Sequence, residues 1–431
     1  MHRALFGFLF SLAALAQTTP VAFTGARIIP IEGPEIASGT LVVQGGRIAA
    51  AGPSGAVSIP AGAQTVDAKG KVIMPGLVDS HSHIGGPEGA DSSAALQPDV
   101  RILDSVDVRD TRIQKAQAGG ITTVNIMPGS GHLLSGQTLY LKLRDGRVID
   151  DLLIRLPDGR IAGGMKMANG TNSRRGGVFP GTRGKSMAMA RELFIKGQEY
   201  RAKVREAGGD PAKLPPRDLR LEAMAEVLDG VRTVHHHTHR HDDILSVLRL
   251  QKEFGFKLVL HHVSEGSFVA SAIAEAQVPA SVIVLDSPGG KEEAKNMSFS
   301  TAYELDKAGV LVGFHTDDGI TDSRLFLRSA ALAVRGGLSR EKALYGVTLA
   351  NARQLGLEDR VGSLKPGKDA DFVLLSGDPL SVYTKVLETW VDGVRVFDRA
   401  AQKDRLYAEG GEGSAERQSA LHMDENEEVD Q

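Results

Sequence analysis

The chain contains no cysteine. That excludes disulfides, thiolate zinc sites, a cysteine nucleophile and a lipid-modified N-terminal cysteine. An exported chain without thiols suits an oxidising compartment such as a bacterial periplasm. Charge of one sign is also scarce: 50 Lys and Arg against 53 Asp and Glu give a formal −3. This balance argues against a surface that tracks nucleic-acid phosphates. Beyond residue 17, no run is long and apolar enough to span a bilayer. Residues 1–17, MHRALFGFLFSLAALAQ, read as a secretory signal peptide. A short basic start precedes an apolar run, and Ala14-Leu15-Ala16 is a small-x-small cleavage site. The mature chain is expected to begin near Gln17 and to carry no membrane span.

A length of 431 residues with 42% hydrophobic content fits two or three domain-sized units, or one large barrel with an attached module. Residues 18–72 and 361–400 are rich in short β-runs broken by Gly-Gly, Gly-Pro and Lys-Gly turns. Between them, over 73–360, strand-like runs alternate with helical patterns. Asp242 and Gly255 bracket one expected helix, Ser323 and Gly336 a second, and Ser186 and Gly208 a third. Such alternation predicts a (β/α)8 barrel or a doubly wound sheet. Polar residues at the C-terminal ends of the strands favour the barrel, whose sites lie on that face. Residues 401–431 carry nine acidic and three basic residues and are expected to be a disordered, solvated tail.

Five of the thirteen histidines fall within positions 235–241. Others end apolar runs. In Asp79-Ser80-His81-Ser82-His83, residues two apart share a face about 6.6 Å apart. His81 and His83 can therefore converge on one ion, with Asp79 orienting a ligand from behind. His261 and His262 follow "KLVL", and "VLVGFHTDD" ends in His315, Asp317 and Asp318, of which Asp318 can be a helix cap. Four strands ending in ligand-type side chains form a pattern that isolated histidines do not.

The stretches "VIMPGLVDSHSHIG", "RTVHHHTH", His262 and "FHTDD" resemble the amidohydrolase superfamily. The terminal segments "GTLVVQGGRIAAAG" and "VGSLKPGKDADFVLLSGDPL" are similar to its accessory domain. The likeness covers residues 21–398 and is greatest to an imidazolonepropionase-like branch in an exported bacterial subgroup. It implies a (β/α)8 TIM barrel with a small β-sandwich built from both chain ends. It implies metal ligands at His81, His83, His237, His262 and Asp317. A further ligand, a carboxylated lysine or a glutamate, accompanies a second metal. Relatives look like GENP where this chain reads Gly170-Thr171-Asn172-Ser173, so the expected glutamate is Thr171. That departure favours one ion, with Lys166 as a conditional bridging ligand. Zinc suits imidazole-rich ligation with an open position, and iron or manganese would also fit.

The implied reaction is hydrolysis of a C–N bond in a small molecule. Asp317 is the acid/base group, and His262 or a neighbouring ring stabilises the oxyanion. His132, Gln137, Arg174, Arg175, Arg183 and His239 are candidate substrate contacts, the arginines because their forks bind carboxylates or phosphates. A metallo-dipeptidase or N-acyl amino acid hydrolase is the alternative, an inactive metal-binding relative a third reading, and a homo-oligomer is compatible with all. Within the histidine run, strand alternation places His235, His237 and His239 on one face. By family position His237 alone is a ligand. His235 is expected to be a deeper hydrogen-bonded ring, and His236 and His241 to be structural.

Overall fold

The computed structural model describes residues 19–87, 91–284 and 291–410. The expected signal peptide and residues 411–431 of the expected tail lie outside the described residues. Residues 402–409, placed by composition in a disordered tail, instead form a helix, Gln402–Glu409, ended by Gly410 in the left-handed conformation. Among the described residues, no helix is long and apolar enough to cross a membrane.

Seventeen strands are described. The N-terminal segment supplies β1 (Val21–Ile28), β2 (Ile36–Gln44), β3 (Arg47–Pro53), β4 (Gln64–Asp67) and β5 (Val72–Pro75). The C-terminal segment supplies β15 (Phe372–Leu375), β16 (Val386–Val391) and β17 (Val394–Asp398). Together they make one hydrogen-bonded eight-stranded sheet in the order β17-β16-β15-β5-β1-β2-β3, with β4 also pairing β1. The two chain ends meet where β15 pairs antiparallel with β5, Phe372 opposite Pro75. Gly45 and Gly46, both at positive φ, make the two-residue turn that joins β2 to β3. Phe23, Phe372 and Trp390 pack within 5.5 Å of one another at the centre of this sheet's own core.

The middle of the chain supplies β6 (Leu77–Ser82), β7 (Ile121–Ile126), β8 (Leu134–Gln137), β9 (Leu139–Lys142), β10 (Met165–Ala168), β11 (Val234–Thr238), β12 (Leu258–His262), β13 (Ala280–Val282) and β14 (Val312–Phe314). β10 to β14 pair in parallel, in sequence order, and β6 pairs in parallel with β7. The descending segment 134–142 serves both groups, β9 antiparallel to β7 and β8 antiparallel to β10. β14 and β6 meet through Asn351, whose side-chain amide donates to the carbonyls of Val78 and Phe314. Most of the apolar side chains of these strands and of the helices around them form one large core.

Helix boundaries differ from those expected, because backbone geometry and not composition sets the cap. The helix after β11 is His241–Phe254, with Arg240 in the capping position. Asp242 lies in its first turn, paired with Arg240. Gly255 ends the helix with φ 71°. Thr182, not Ser186, caps Arg183–Glu206, and Ala207, not Gly208, ends it. Asp322 caps the turn Ser323–Leu325 that leads into Phe326–Arg335, and Gly336 ends that helix.

Polar contacts tie the terminal sheet to the remainder. Lys142 on β9 is fully buried, with Asp369, Asp371 and Asp392 at 2.8, 2.8 and 2.9 Å. Nearer the surface, Arg27 of β1 and Arg340 hold Asp378 at 2.9 and 2.8 Å. Burial opposes ionisation there, but these two arginines prevail and hold Asp378 down to about 2. A depressed carboxyl adds stability that is present above its unfolded value and lost as pH falls through about 2. The Asp378→Asn variant is therefore expected to be less stable than wild type at pH 5, by under about 1 kcal/mol for so exposed a pair. The gap should narrow toward pH 3. Urea midpoints of both proteins across that range check this, and a gap independent of pH would contradict it.

Candidate metal centre

The C-terminal ends of the parallel strands gather the histidines. Strand alternation on β6 turns Asp79 and His81 to one side, and His83 follows just beyond the strand. Asp317 comes from the loop after β14, and its N–H donates to the His81 carbonyl at 2.9 Å. Asp317 Oδ1 then lies 3.2 Å from His81 Nε2 and 3.0 Å from His83 Nε2, and the two ring nitrogens are 3.3 Å apart. Two donors about 2.0–2.1 Å from one tetrahedral ion are separated by roughly 3.3 Å, so these three atoms fit a common cation. His83 has the tautomer this requires. Its Nδ1 is 2.8 Å from the Met127 carbonyl, which can only accept, so Nε2 keeps its lone pair.

Burial favours the neutral form of His81, and the nearby Lys166 ammonium adds to this, so its pKa lies well below the usual imidazole range. Burial would raise the Asp317 carboxyl, but His81, His83 and His262 outweigh it and hold it well below the carboxylate range. The rings lower the carboxyl only while they carry a proton toward it; a divalent cation would replace that proton, binding the neutral rings and the ionised carboxylate. Both His262 (φ 71°) and Asp317 (φ 49°) sit in the left-handed region. For a histidine this conformation carries strain of about 1–3 kcal/mol, found most often where function over-determines the backbone.

The remaining candidate ligands separate into groups. His237 and His262 join His239, with one ligand atom of each within 4.8 Å of the others. His262 also belongs with His81 and Asp317, its Nδ1 3.9 Å from Asp317 Oδ2. His239, a candidate substrate contact at the start of the loop, is buried, its Nδ1 2.7 Å from Ser264 Oγ and its ring stacked on His262. Sequence reasoning gave no role to His261 or His315. Both are buried, and with His81 they form a third group. A chain of contacts runs from Ser80 to Ser281 (2.8 Å), His315 (2.8 Å) and His262 Nδ1 (3.1 Å). The signal for His315 was its place at the end of an apolar run, two residues before Asp317.

His235 lies between Tyr140 Oη at 2.7 Å and His261 Nε2 at 2.9 Å, a hydrogen-bonded ring below the site. His236 is buried, with Nδ1 on the His237 carbonyl. His241 pairs with Glu265 at 2.7 Å. Asp79 does not orient a ring. It accepts from the N–H groups of His81 and Thr316 and from the Thr316 hydroxyl, joining the segments that carry the candidate ligands His81 and Asp317 through their backbones. Asp318 accepts from Ser323 N–H and Oγ–H, but the cap of that turn is Asp322. Lys166 Nζ is 3.1 Å from His81 Nε2, so an ammonium there competes with a cation for the same lone pair.

The candidate substrate contacts scatter. His132 is fully buried against Phe179, and neither ring nitrogen has a hydrogen-bond partner. Arg174 donates to the Gly170 carbonyl, and Arg175 donates to the Gly131 carbonyl while stacking over Phe179 at 4.0 Å. Arg183 is not on the loop but opens a helix, where it is bound to Asp243 at 2.9 Å through both carboxylate oxygens. Gln137 donates to the Pro98 carbonyl and sits opposite Met165, at the start of β10. That is the end of the strand away from the histidines, because 134–142 runs antiparallel.

Known proteins share this architecture. Residues 211–397 match the model of an amidohydrolase family. The chain is similar to a crystal structure of an amidohydrolase from Thermotoga maritima, with 34% identity and a TM-score of 0.81, over 88% of this chain and all of that one. The chain belongs to the amidohydrolase superfamily. The chain is also 29% identical over 373 residues to the amidohydrolase tasK of Hapsidospora irregularis, covering 80% of this chain and 38% of that protein's length. Against imidazolonepropionase of Rhizobium rhizogenes it is 25% identical over 390 residues, covering 81% of this chain and 89% of the relative. The histidine groups fit the divalent-metal chemistry of the superfamily.

Proposed function

We propose that the chain is a metal-dependent hydrolase of a C–N bond in a small molecule, an amide, cyclic amide or amidine. The observation that carries this is the convergence of His81 Nε2, His83 Nε2 and Asp317 Oδ1 within 3.3 Å of one another. We read the middle strands as a closed (β/α)8-type barrel in which segment 134–142 runs antiparallel. We read the terminal sheet as a small sandwich folded around Phe23, Phe372 and Trp390.

A divalent cation, zinc by the softness of its ligands, would supply Lewis acidity and lower the pKa of a water from about 16 toward 7. His81, His83 and Asp317 would hold it. The chain's residues then do the rest. Asp317 accepts a proton from the attacking water and returns it to the leaving nitrogen. His262, fixed through Nδ1 by His315, stands beside Asp317 to stabilise the developing oxyanion. Asp79 locks the two ligand segments together, which keeps this geometry preorganised. The dipeptidase alternative needs an arginine for an anionic group, and the engagement of Arg183 by Asp243 weakens it.

Purified zinc-loaded protein is expected to turn over at least one member of a panel of cyclic amides, N-acyl amino acids, amidines and dipeptides. Removal of zinc by a chelator should abolish turnover, and added zinc should restore it. Turnover unaffected by complete metal removal would refute the reading, as would a loaded protein inert across the panel.

A further inference from the structure

We propose that the groove between the helix Phe326–Arg335 and segment 379–386 is the docking site of this chain's own acidic segment, residues 411–431. The inference is independent of the metal-dependent reading, since no candidate ligand lines the groove.

The groove encloses a cavity of about 530 Å³. Much of its lining is apolar, including Leu325, Leu380 and Val382. Val382 is 81% exposed, and the adjacent Tyr383 is 89% exposed. An apolar surface of this kind, rimmed by charge, marks an interaction site.

The charge on the rim has a sign. Four cations, Arg324, Arg328, Lys385 and Arg399, line the groove against two acids, Asp322 and Glu409, an excess of two positive charges. Asp322 pairs with Arg324, and Glu409 with Arg399 at 3.3 Å. Burial still holds the Arg399 guanidinium below its ordinary value, against the pull of Glu409. A further carboxylate in the groove would offset that cost.

The chain carries such carboxylates past this spot. Ala408 and Glu409, at the end of the helix Gln402–Glu409, line the groove, and Arg324 Nη1 donates to the Tyr407 carbonyl at 3.4 Å. Residues 411–431 contain seven acidic residues and one basic. Leu421 and Met423 come just before the acidic run Asp424-Glu425-Asn426-Glu427-Glu428. Their side chains suit the apolar lining, and the carboxylates suit the arginines and lysine at the rim. Leu421 is eleven positions beyond Gly410, and an extended chain spans up to about 3.5 Å per residue, so reach is ample. A short tether also holds the segment at roughly millimolar effective concentration. Weak contacts then suffice, and a second copy or a foreign acidic peptide is at a disadvantage.

The absence of cysteine makes the test direct. In the full chain, Ala331→Cys in the groove is combined with His422→Cys, and disulfide formation under mild oxidation is followed by non-reducing electrophoresis. The control combines His422→Cys with Leu219→Cys, an exposed position outside the groove. The groove pair is expected to close within one chain at least about tenfold faster than the control. Raising salt from about 0.1 M to 1 M shortens the screening length from about 10 Å to 3 Å and should slow the groove pair toward the control. Arg328→Glu with Lys385→Glu, both at exposed positions, should do the same at low salt. Equal rates for the two pairs would overturn the proposal. So would a fast groove pair indifferent to salt, since charge complementarity would then play no part. Disulfides formed mainly between chains would also overturn it and assign the groove to a second copy.

Discussion

Replacing Asp317 with asparagine is expected to lower kcat by about 100- to 10,000-fold, the span associated with loss of a general acid/base. Asparagine preserves size and tolerates the left-handed backbone at φ 49°, which it adopts more readily than most residues. The segment should therefore keep its N–H bond to the His81 carbonyl. The amide cannot take up a proton from water at neutral pH, so proton transfer is lost while the fold persists. The amide oxygen is also a weaker cation ligand than the carboxylate, so rates must be compared at saturating zinc with metal content measured in parallel. Steady-state kinetics on the best substrate from the panel, with zinc per chain determined on the same sample, decides the matter. A fully loaded variant with kcat within tenfold of wild type would remove Asp317 from the acid/base role.

Replacing Lys142 with methionine is expected to destabilise the protein by about 3–5 kcal/mol. Lys142 is the single buried ammonium that Asp369, Asp371 and Asp392 share within 2.9 Å. Methionine fills similar volume, so packing changes little, but the buried Asp369 and Asp371 carboxylates and the partly exposed Asp392 lose a charge partner. Asp369 also pairs with Arg47 and Arg360, and Asp392 with Arg144. Asp371 has no such arginine, and burial already pushes it up to about 6. Adding Asp371→Asn to Lys142→Met should therefore recover part of the loss. Chemical denaturation of the single and double variants tests this. A Lys142→Met protein within about 1 kcal/mol of wild type would show that the cluster does not hold the sheet to the strand that carries Lys142.

The two residues illustrate different kinds of legibility. His81, His83 and Asp317 could be found because strand geometry is local: residues two apart share a face, and an apolar run ending in polar groups marks a strand mouth. The same rule sorted His235 and His237 correctly onto one side of β11. It also held for His239, which lies just past the end of β11 at Thr238 and still meets His237 and His262. Gln137 was misplaced, since nothing local indicates that 134–142 runs against its neighbours.

The sequence by itself determined the strand–helix alternation, the β-rich chain ends, the absence of thiol chemistry and the principal ligand candidates. Each of these depends on composition or on a period of a few residues. Only the tertiary structure decided that Lys142 meets Asp371, 229 positions away, and that Glu293 reaches Thr171 across 122. Such contacts have no local signature. They depend on which strands become neighbours and on the space a glycine leaves open, and they exist only once the chain has closed on itself.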